Sequence, residues 1–595
     1  MHDRPATLAQ LFERQVQKYG ARAFVRDKRG GAWVDRSWSQ MSDGAGRLRA
    51  GLARLGVKAG DRVGILSDNC PQWVTVDQAA LGLGAVVVPL YTTSAVDETR
   101  HVLSDCGACI VAANGEQHVK RLLSLARELP QMRGIIAMHP DAKPQDASNG
   151  GPAVMTLESA SAAEPAGIIE GSRDEIATII YTSGTTGPSK GVVLTHGNLL
   201  ANCEDALSAL TITDSDVTLS FLPVAHSFER TAGYYAVMMG GGTISYAEGL
   251  GQIAQNLLEI RPTLVLTVPR LLEVIYSRVL RTIEKASPLR RRLFDTAVAV
   301  GGRAAEHRNR GAAVPAHLAA PMALFRRLVF KRINDVFGGR MRYLISGSAP
   351  LPVEINRFFS AAEVPIVEGY GLTEAAPIVS VNLLGGRNKI GTVGRTLAHV
   401  EARTAADGEL LVRGPNVMKG YYKREQETRD AIDADGWLHT GDIARIDADG
   451  YIQITDRKKE IIVLSSGKNV SPANLEMKLV SDAYIAQACV IGDRRKHLAA
   501  LLVPDFESLT DFLKQNGLTE KPHDKICESA ELRKLFHDRI RAVNRQLSDV
   551  EAIVTFTLLP QPFTQEASEL TPSLKLRRKI VMEHYKGQIE SMFKD

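Results

Sequence analysis

The sequence predicts an α/β multidomain protein built on a mostly parallel sheet, followed by a small β subdomain and a mixed C-terminal unit. Three observations carry that expectation. Near-continuous apolar runs, each bounded by turns, alternate with helical stretches as far as Glu368. After about residue 387 the runs alternate with polar residues instead, and beyond Asp456 the pattern is mixed. At roughly 100–200 residues per domain, a chain of 595 residues holds three or four structural units.

The elements follow in order. Thr7-Leu8-Ala9-Gln10 matches a capping box, and Leu8, Leu11, Phe12, Val16 and Tyr19 recur at helical spacing before Gly20. Val63 to Leu66, Ala85 to Val88, Cys109 to Ala112, Ile135 to Ala137 and Ala177 to Tyr181 read as buried strands. Thr218 to Phe221, Leu264 to Thr267, Tyr343 to Ser346 and Pro365 to Glu368 extend the series. Runs that are apolar throughout require cover on both faces, which is the mark of a parallel sheet. The Ala- and Pro-rich stretch 140–165 reads as a loop. Gly408 to Pro415 reads as a strand and turn, and the segments around Asp449-Gly450 as an antiparallel hairpin. Leu532, Leu535, Phe536, Ile540, Val543 and Leu547 mark one amphipathic helix.

Composition narrows the class. Hydrophobic residues at 44% and charged residues at 23% exclude wholesale disorder. A formal net charge of +5 gives no ground for a nucleic-acid partner. Six cysteines are too few for a secreted disulfide framework in so long a chain, and the Cys106–Cys109 pair, with no second such pair, reads as reduced and structural. Neither a signal peptide nor an apolar run of membrane-spanning length stands out, so a cytoplasmic protein is expected.

The stretch Tyr181-Thr182-Ser183-Gly184-Thr185-Thr186-Gly187-Pro188-Ser189-Lys190-Gly191 follows a buried strand. It combines three glycines, five Ser/Thr hydroxyls and a lysine. Backbone N–H groups brought close by glycine, hydroxyl donors and one cation are what a polyphosphate needs. It is not a Walker A loop, because Gly191 stands where that motif has Ser or Thr after its lysine.

This stretch resembles the signature loop of the acyl-adenylate-forming superfamily, which includes acyl-CoA synthetases, luciferases and peptide-synthetase adenylation domains. Further motifs occur in the family's order. Gly347-Ser348-Ala349-Pro350 is similar to its adenine-side loop, and Glu368-Gly369-Tyr370-Gly371-Leu372-Thr373-Glu374 to its YGxTE motif. Thr440-Gly441-Asp442 matches its TGD motif, and Asp456-Arg457-Lys458-Lys459-Glu460 its hinge. Leu570 to Arg578 resembles the segment with the family's catalytic lysine, although Leu574 stands where many relatives have glycine.

The resemblance implies a fold and a set of roles. The fold would be a large N-terminal domain (1–455) of two parallel-rich sheet subdomains plus a small distorted β-barrel (about 388–455). A hinge (456–459) would join it to a small mobile α+β domain (460–595), with the N-terminal region contributing to the first sheet. Lys575, Thr373 and Lys190 would be catalytic. Thr182 to Gly187 with Lys190, Gly347 to Ala349, Glu368 to Gly371, Thr373, Asp442 and Arg457 would bind ATP and AMP. Glu374 and Thr186 would hold Mg²⁺, and the hinge would turn at Lys459. Gly467, Lys468 and Asn469 would lie on the coenzyme A side.

Leu222 to Arg230 resembles the long-chain synthetases' version of the loop lining the acyl site, which would place His226 at the mouth of the acyl pocket, with Gly233 and Tyr234 in its wall. A satisfied core histidine and a buried helix are the plain alternatives. The expected reaction is ATP-dependent activation of a long-chain fatty acid to acyl-AMP with pyrophosphate release, then thioester formation with coenzyme A. A fatty acyl-AMP ligase serving a carrier protein and a non-catalytic lipid-binding relative are the competing readings. Lys190, Glu374, Asp442 and Lys575 are all present, against the last.

The small net charge conceals an uneven distribution. Residues 270–342 hold 16 Lys plus Arg against 5 Asp plus Glu, interspersed with apolar side chains such as Leu324 and Leu328. That mixture suits an anionic membrane surface beside the acid entrance, on the inner face of the membrane. A solvated face or an oligomer contact reads equally well.

Overall fold

The computed structural model describes residues 4–139, 141, 143–144, 151–182, 188–385, 388–571 and 576–594. Two large sheets dominate the first 400 residues. The eight-stranded sheet runs, edge to edge, Gly420–Tyr421, Lys190–Thr195, Ile176–Thr182, Val86–Leu90, Arg62–Leu66, Ile110–Ala113, Gly134–Ala137 and Ala153–Thr156. From Ile176–Thr182 outward every pairing is parallel. Successive side chains alternate between two cores: Val63 and Ile65 face one, while Leu66, Val86 and Val88 face the other. That double burial is why these runs lack polar alternation.

The nine-stranded sheet runs Arg395–Thr396, Ile378–Val381, Ile366–Gly371, Tyr343–Ser346, Leu264–Thr267, Val217–Ser220, Thr243–Tyr246, Ala23–Arg29 and Ala32–Ser37. It is parallel except at its two ends.

Two sequence expectations are corrected here, at the 140–165 stretch and at Thr7. The N-terminal region contributes to the first sheet as expected, through the strands from Arg62–Leu66 to Ile176–Thr182, and also sends the hairpin Ala23–Ser37 into the nine-stranded sheet. Gly30 and Gly31, both at positive φ, make its two-residue turn. The 140–165 stretch is not loop throughout, because Ala153–Thr156 adds an edge strand and Leu157–Ala160 a helical turn capped by Thr156. The capping box at Thr7 is half formed: Thr7 accepts from the Gln10 N–H, but the Gln10 side chain turns to the Ala6 N–H instead.

The β subdomain is a four-stranded antiparallel sheet ordered Glu401–Thr404, Glu409–Arg413, Leu438–Ile446 and Ile452–Arg457. Ile452 closes it against the nine-stranded sheet's margin by exchanging backbone bonds with Val393 and Gly394. The C-terminal unit carries a three-stranded sheet, Ile485–Ile491, Leu498–Pro504 and Ile553–Leu558. Its central strand again alternates between two cores. Leu498, Ala500 and Leu502 meet the helices Pro472–Val480 and Ala530–Asn544, and Ala499, Leu501 and Val503 meet Val581 and Ile589.

One buried ion pair joins elements from both large sheets. Arg230 donates to Asp77 at 2.6 Å, and both side chains are 0% exposed. Asp77 also accepts from the hydroxyls of Tyr234 and Tyr235 and from Gln78. Arg230 also donates to Thr178, on the strand Ile176–Thr182, and to Tyr235. Burial pushes the Asp77 carboxyl up, while the guanidinium and the tyrosine hydroxyls pull it down. With a guanidinium in contact and every polar atom of the pair partnered, the ionised form is the one this geometry holds.

Candidate active site

In α/β sheets, ligands are met by the loops beyond the carboxyl ends of the strands. Here those loops converge on one cavity of about 2180 Å³. Tyr91 and Thr93 follow Val86–Leu90, Thr182 ends its strand, His226 and Phe228 follow Val217–Ser220, and Gly347 follows Tyr343–Ser346. The C-terminal unit supplies the remaining wall, including Leu570, Thr571, Leu576 and Arg577.

One side of the cavity is polar and hydroxyl-rich. Lys190 stands over the ring of Tyr421, with Nζ 5.2 Å from the centroid. The Tyr421 hydroxyl donates to Glu374 at 2.9 Å, so one tyrosine bridges the predicted phosphate lysine and the predicted Mg²⁺ carboxylate. Thr373 Oγ1 lies 3.0 Å from Ser227 Oγ. The Tyr370 hydroxyl donates to Asp442, which also accepts from Arg457 Nε at 3.1 Å. Burial and the Asp442 carboxylate push the Tyr370 hydroxyl up, keeping it a donor. Gly371 is needed where it stands, since a Cβ there would lie 2.1 Å from the Pro377 carbonyl oxygen.

The opposite side is an apolar lobe whose wall includes Ala206, Ala232, Ala236, Ile378, Val381 and Leu397. The loop leading into it is pinned by Asn69, which accepts from the Val224 N–H and donates to the Leu222 carbonyl.

Of the residues singled out from the sequence, Thr182, Lys190, His226, Gly347, Ser348, Gly369, Tyr370, Gly371, Thr373, Glu374, Arg457 and Lys459 line this cavity. Asp442 sits just behind, against Tyr370 and Arg457. Ser183, Gly184, Thr185, Thr186, Gly187 and Lys575 lie outside the described residues.

Several residues sit elsewhere. Ala349 is exposed outside the cavity wall. Glu368 is buried and accepts from the Leu351 N–H and Asn356 Nδ2, so its carboxylate anchors the loop after Gly347. Gly233 and Tyr234 are not wall residues: Tyr234 belongs to the Asp77 network. A Cβ on Gly233 would lie 2.5 Å from Glu229 Oε1. Glycine there makes room for the Glu229 carboxyl, which burial pushes up to about 8. Gly467, Lys468 and Asn469 are exposed on a hairpin turn away from the cavity. No residue of the basic 270–342 segment lines the cavity itself.

Sequence reading passed over Tyr421, Asn69 and Asp77. Asn69 was within reach, since it follows the carboxyl end of a strand; Tyr421 and Asp77 act through partners far away in sequence.

Comparison with known proteins decides the family. The model of the AMP-binding enzyme family matches residues 12–422, and that of the AMP-binding enzyme C-terminal domain matches residues 459–595. The chain belongs to the AMP-binding enzyme family. A relative named long-chain-fatty-acid–CoA ligase FadD15, from Mycobacterium bovis, is 34% identical over all of this chain and 97% of its own. The peroxisomal long chain acyl-CoA synthetase 6 of Arabidopsis thaliana is 32% identical over 100% of this chain and 87% of its own. Among solved structures, the adenylation domain of a Mycobacterium chelonae carboxylate reductase superposes with a TM-score of 0.79 at 24% identity, covering 100% of this chain and 92% of that one. The A domain of the Segniliparus rugosus carboxylic acid reductase, in complex with AMP and a co-purified carboxylic acid, gives 0.78 at 22% identity over 99% and 94%. These two show the adenylation fold.

Within this AMP-binding fold, burial pushes Glu368 from 4.5 up to about 7. A carboxyl whose folded pKa is raised contributes stability below its unfolded pKa and loses it as pH rises through the folded value. Stability therefore falls between pH 4.5 and 7 on account of this group. Glu368→Gln should flatten that slope and be more stable at pH 8 by on the order of 2–3 kcal/mol. Urea unfolding at pH 5 and pH 8 measures this; identical slopes for the two proteins would refute it.

Proposed function

We propose that this chain is a long-chain-fatty-acid–CoA ligase, joining an acid to coenzyme A at the expense of ATP. The observation that carries the reading is one cavity with a polar, hydroxyl-rich side that includes Lys190 and an apolar lobe, in a chain that aligns end to end with ligases of that name. A fatty acid and a triphosphate are the pair such a cavity accommodates.

Carboxylate and triphosphate repel, so the first step needs cations where charge gathers on the in-line transition state. Lys190 would lie along the β- and γ-phosphates, and Lys575 would bridge the carboxylate and the α-phosphate. Thr373 would donate to the α-phosphate, Tyr370 would flank the adenine, and Asp442 with Arg457 would hold the ribose hydroxyls. The carboxylate oxygen attacks the α-phosphorus, and the bond to the pyrophosphate oxygen breaks. The thiol sulfur of coenzyme A then attacks the acyl carbonyl, its proton passing to solvent, and AMP leaves with the bonding pair. Glu374, which lines the cavity beside Lys190 and Tyr421, would hold Mg²⁺, a cation commonly held by one or two carboxylates plus substrate phosphates. Bound there, Mg²⁺ would neutralise phosphate charge.

The two steps would use two placements of the C-terminal domain, turning at Lys459. Leu570, Thr571 and Leu576, which flank the catalytic-lysine motif in sequence, line the cavity here while Gly467 to Asn469 do not, which suits the placement for adenylation. The purified protein given ATP, Mg²⁺, a palmitate-class acid and coenzyme A should yield AMP, pyrophosphate and acyl-CoA. Lys575→Ala should lower adenylation by about 100-fold or more yet spare thioester formation from supplied acyl-adenylate. Pyrophosphate without thioester would assign the acceptor to a carrier protein, and neither product would assign a lipid-binding role.

The acid would be collected at an anionic membrane. Among the described residues no helix is long and apolar enough to cross one. In the helical run 316–335, Met322, Phe325, Phe330 and Ile333 are buried, while Leu324 and Leu328 are 54% and 53% exposed beside Arg326, Arg327, Lys331 and Arg332. Exposed leucines set among cations suit the interface of an anionic bilayer better than a solvated face. The protein should float with phosphatidylglycerol vesicles and not with phosphatidylcholine vesicles, and Leu324→Glu with Leu328→Glu should abolish flotation. Flotation unchanged by the double substitution would refute this surface.

A further inference from the structure

The helix Val96–Cys106 grips both ends of the loop that enters and leaves the ATP site. His101 and Asp105 are four residues apart, so they share one face of that helix. Asp105 accepts from the Tyr181 hydroxyl at 2.6 Å, and Tyr181 stands just before the hydroxyl- and glycine-rich loop begins. His101 Nε2 lies 2.9 Å from the carbonyl oxygen of Ser189, the residue immediately before Lys190. A carbonyl only accepts, so His101 holds its proton on Nε2. The imidazole also meets the Tyr181 ring edge-on, with centroids 6.2 Å apart and planes at 88°.

The strands on either side of the loop pair Thr182 with Lys190 and Tyr181 with Gly191. That ladder sets the separation of the loop ends but not their position across the sheet. The helix contributes the missing restraint and is itself tied down, since Lys423 donates to the Asp105 carbonyl and Arg424 contacts the Asp105 carboxylate. At its N-terminal end Asp97 and Glu98 line the cavity, so the same helix is part of the cavity wall.

We propose that His101 is a positioning residue for the ATP triphosphate: by fixing the Ser189 peptide it sets where Lys190 and the phosphate-binding loop stand. Asp105 does the same at the entrance of the loop through Tyr181. His101 does not itself line the cavity. This rests on reading 181–191 as the phosphate loop, and the acyl lobe is formed by other elements, so the effect belongs to ATP and not to the acid.

The test measures pyrophosphate release in the intact protein, varying ATP at saturating palmitate-class acid and then the reverse. His101→Ala should raise the KM for ATP by about tenfold, the cost of one well-aligned hydrogen bond, with the KM for the acid and thioester formation from supplied acyl-adenylate within about twofold of the parent. His101→Gln, whose amide can donate to the same carbonyl, should recover most of the loss. Tyr181→Phe, which removes the Asp105 contact without emptying the site, should also raise the KM for ATP selectively, and thermal unfolding confirms that each variant is folded. Equal changes in both KM values, or no recovery with Gln, would overturn the proposal. Lys190→Ala in the same assay separates the two readings. If Lys190→Ala raises the KM for ATP while His101→Ala does not, the clamp is wrong; if neither does, the loop is not the phosphate site.

Discussion

The buried contact between Arg230 and Asp77 constrains the rest of the active-site architecture. Removing two ions from water costs several kcal/mol each, and only a complete set of partners offsets it. Here Tyr234, Tyr235, Gln78 and Thr178 complete the set, so the carboxylate and guanidinium have one arrangement in which neither is stranded. Asp77 sits on the helix Pro71–Gly82, Thr178 on the strand Ile176–Thr182, and Arg230 in the π-helix Glu229–Tyr235. Fixing these three against one another fixes the polar side of the cavity against its apolar lobe. Losing one partner of such a pair typically costs about 3–5 kcal/mol, so slippage between the two sides is strongly opposed.

From that frame the division of labour is direct. The eight-stranded sheet supplies Thr182 and Lys190, with Tyr181 and Ser189 held by the helix Val96–Cys106. The nine-stranded sheet supplies Gly347, Tyr370 and Thr373 from adjacent strand ends, with Tyr370 reaching Asp442 of the β subdomain. The π-helix turns Ala232 towards the apolar lobe while keeping Tyr234 and Arg230 inside. A π-turn advances about 4.4 residues instead of 3.6, which changes the face that each side chain presents; such turns are frequent at functional sites. The C-terminal domain closes the cavity and also meets the basic segment through Arg281–Glu507 and Lys285–Asp511. Part of that segment's charge therefore faces protein rather than solvent or membrane.

Much of this could be read from residues alone, for definable reasons. Val63 to Leu66 and its fellows were legible because parallel strands buried on both faces leave runs with no polar interruption. The hairpin Ala23–Ser37 was missed although Gly30-Gly31 signalled its turn, because its strands carry polar and charged residues at a sheet edge. The motif residues Lys190, Thr373 and Glu374 were found as types in order along the chain, and the fold brings them to one cavity. Gly233 and Tyr234 were misplaced because a buried polar network and a tunnel wall look alike in one dimension. Asp77 and Arg230 are 153 positions apart, and nothing local marks them as partners. The same holds for Tyr421 between Lys190 and Glu374, and for His101 beneath Ser189.

The central claim is that the cavity activates a fatty acid as its adenylate before any thiol takes part. Exchange of labelled pyrophosphate into ATP tests it most directly, because exchange requires a reversible adenylation step and nothing after it. With a palmitate-class acid and Mg²⁺ but no coenzyme A, the protein should catalyse exchange that depends on the acid. Exchange that appears only when coenzyme A is added, or that ignores the acid, would contradict the account.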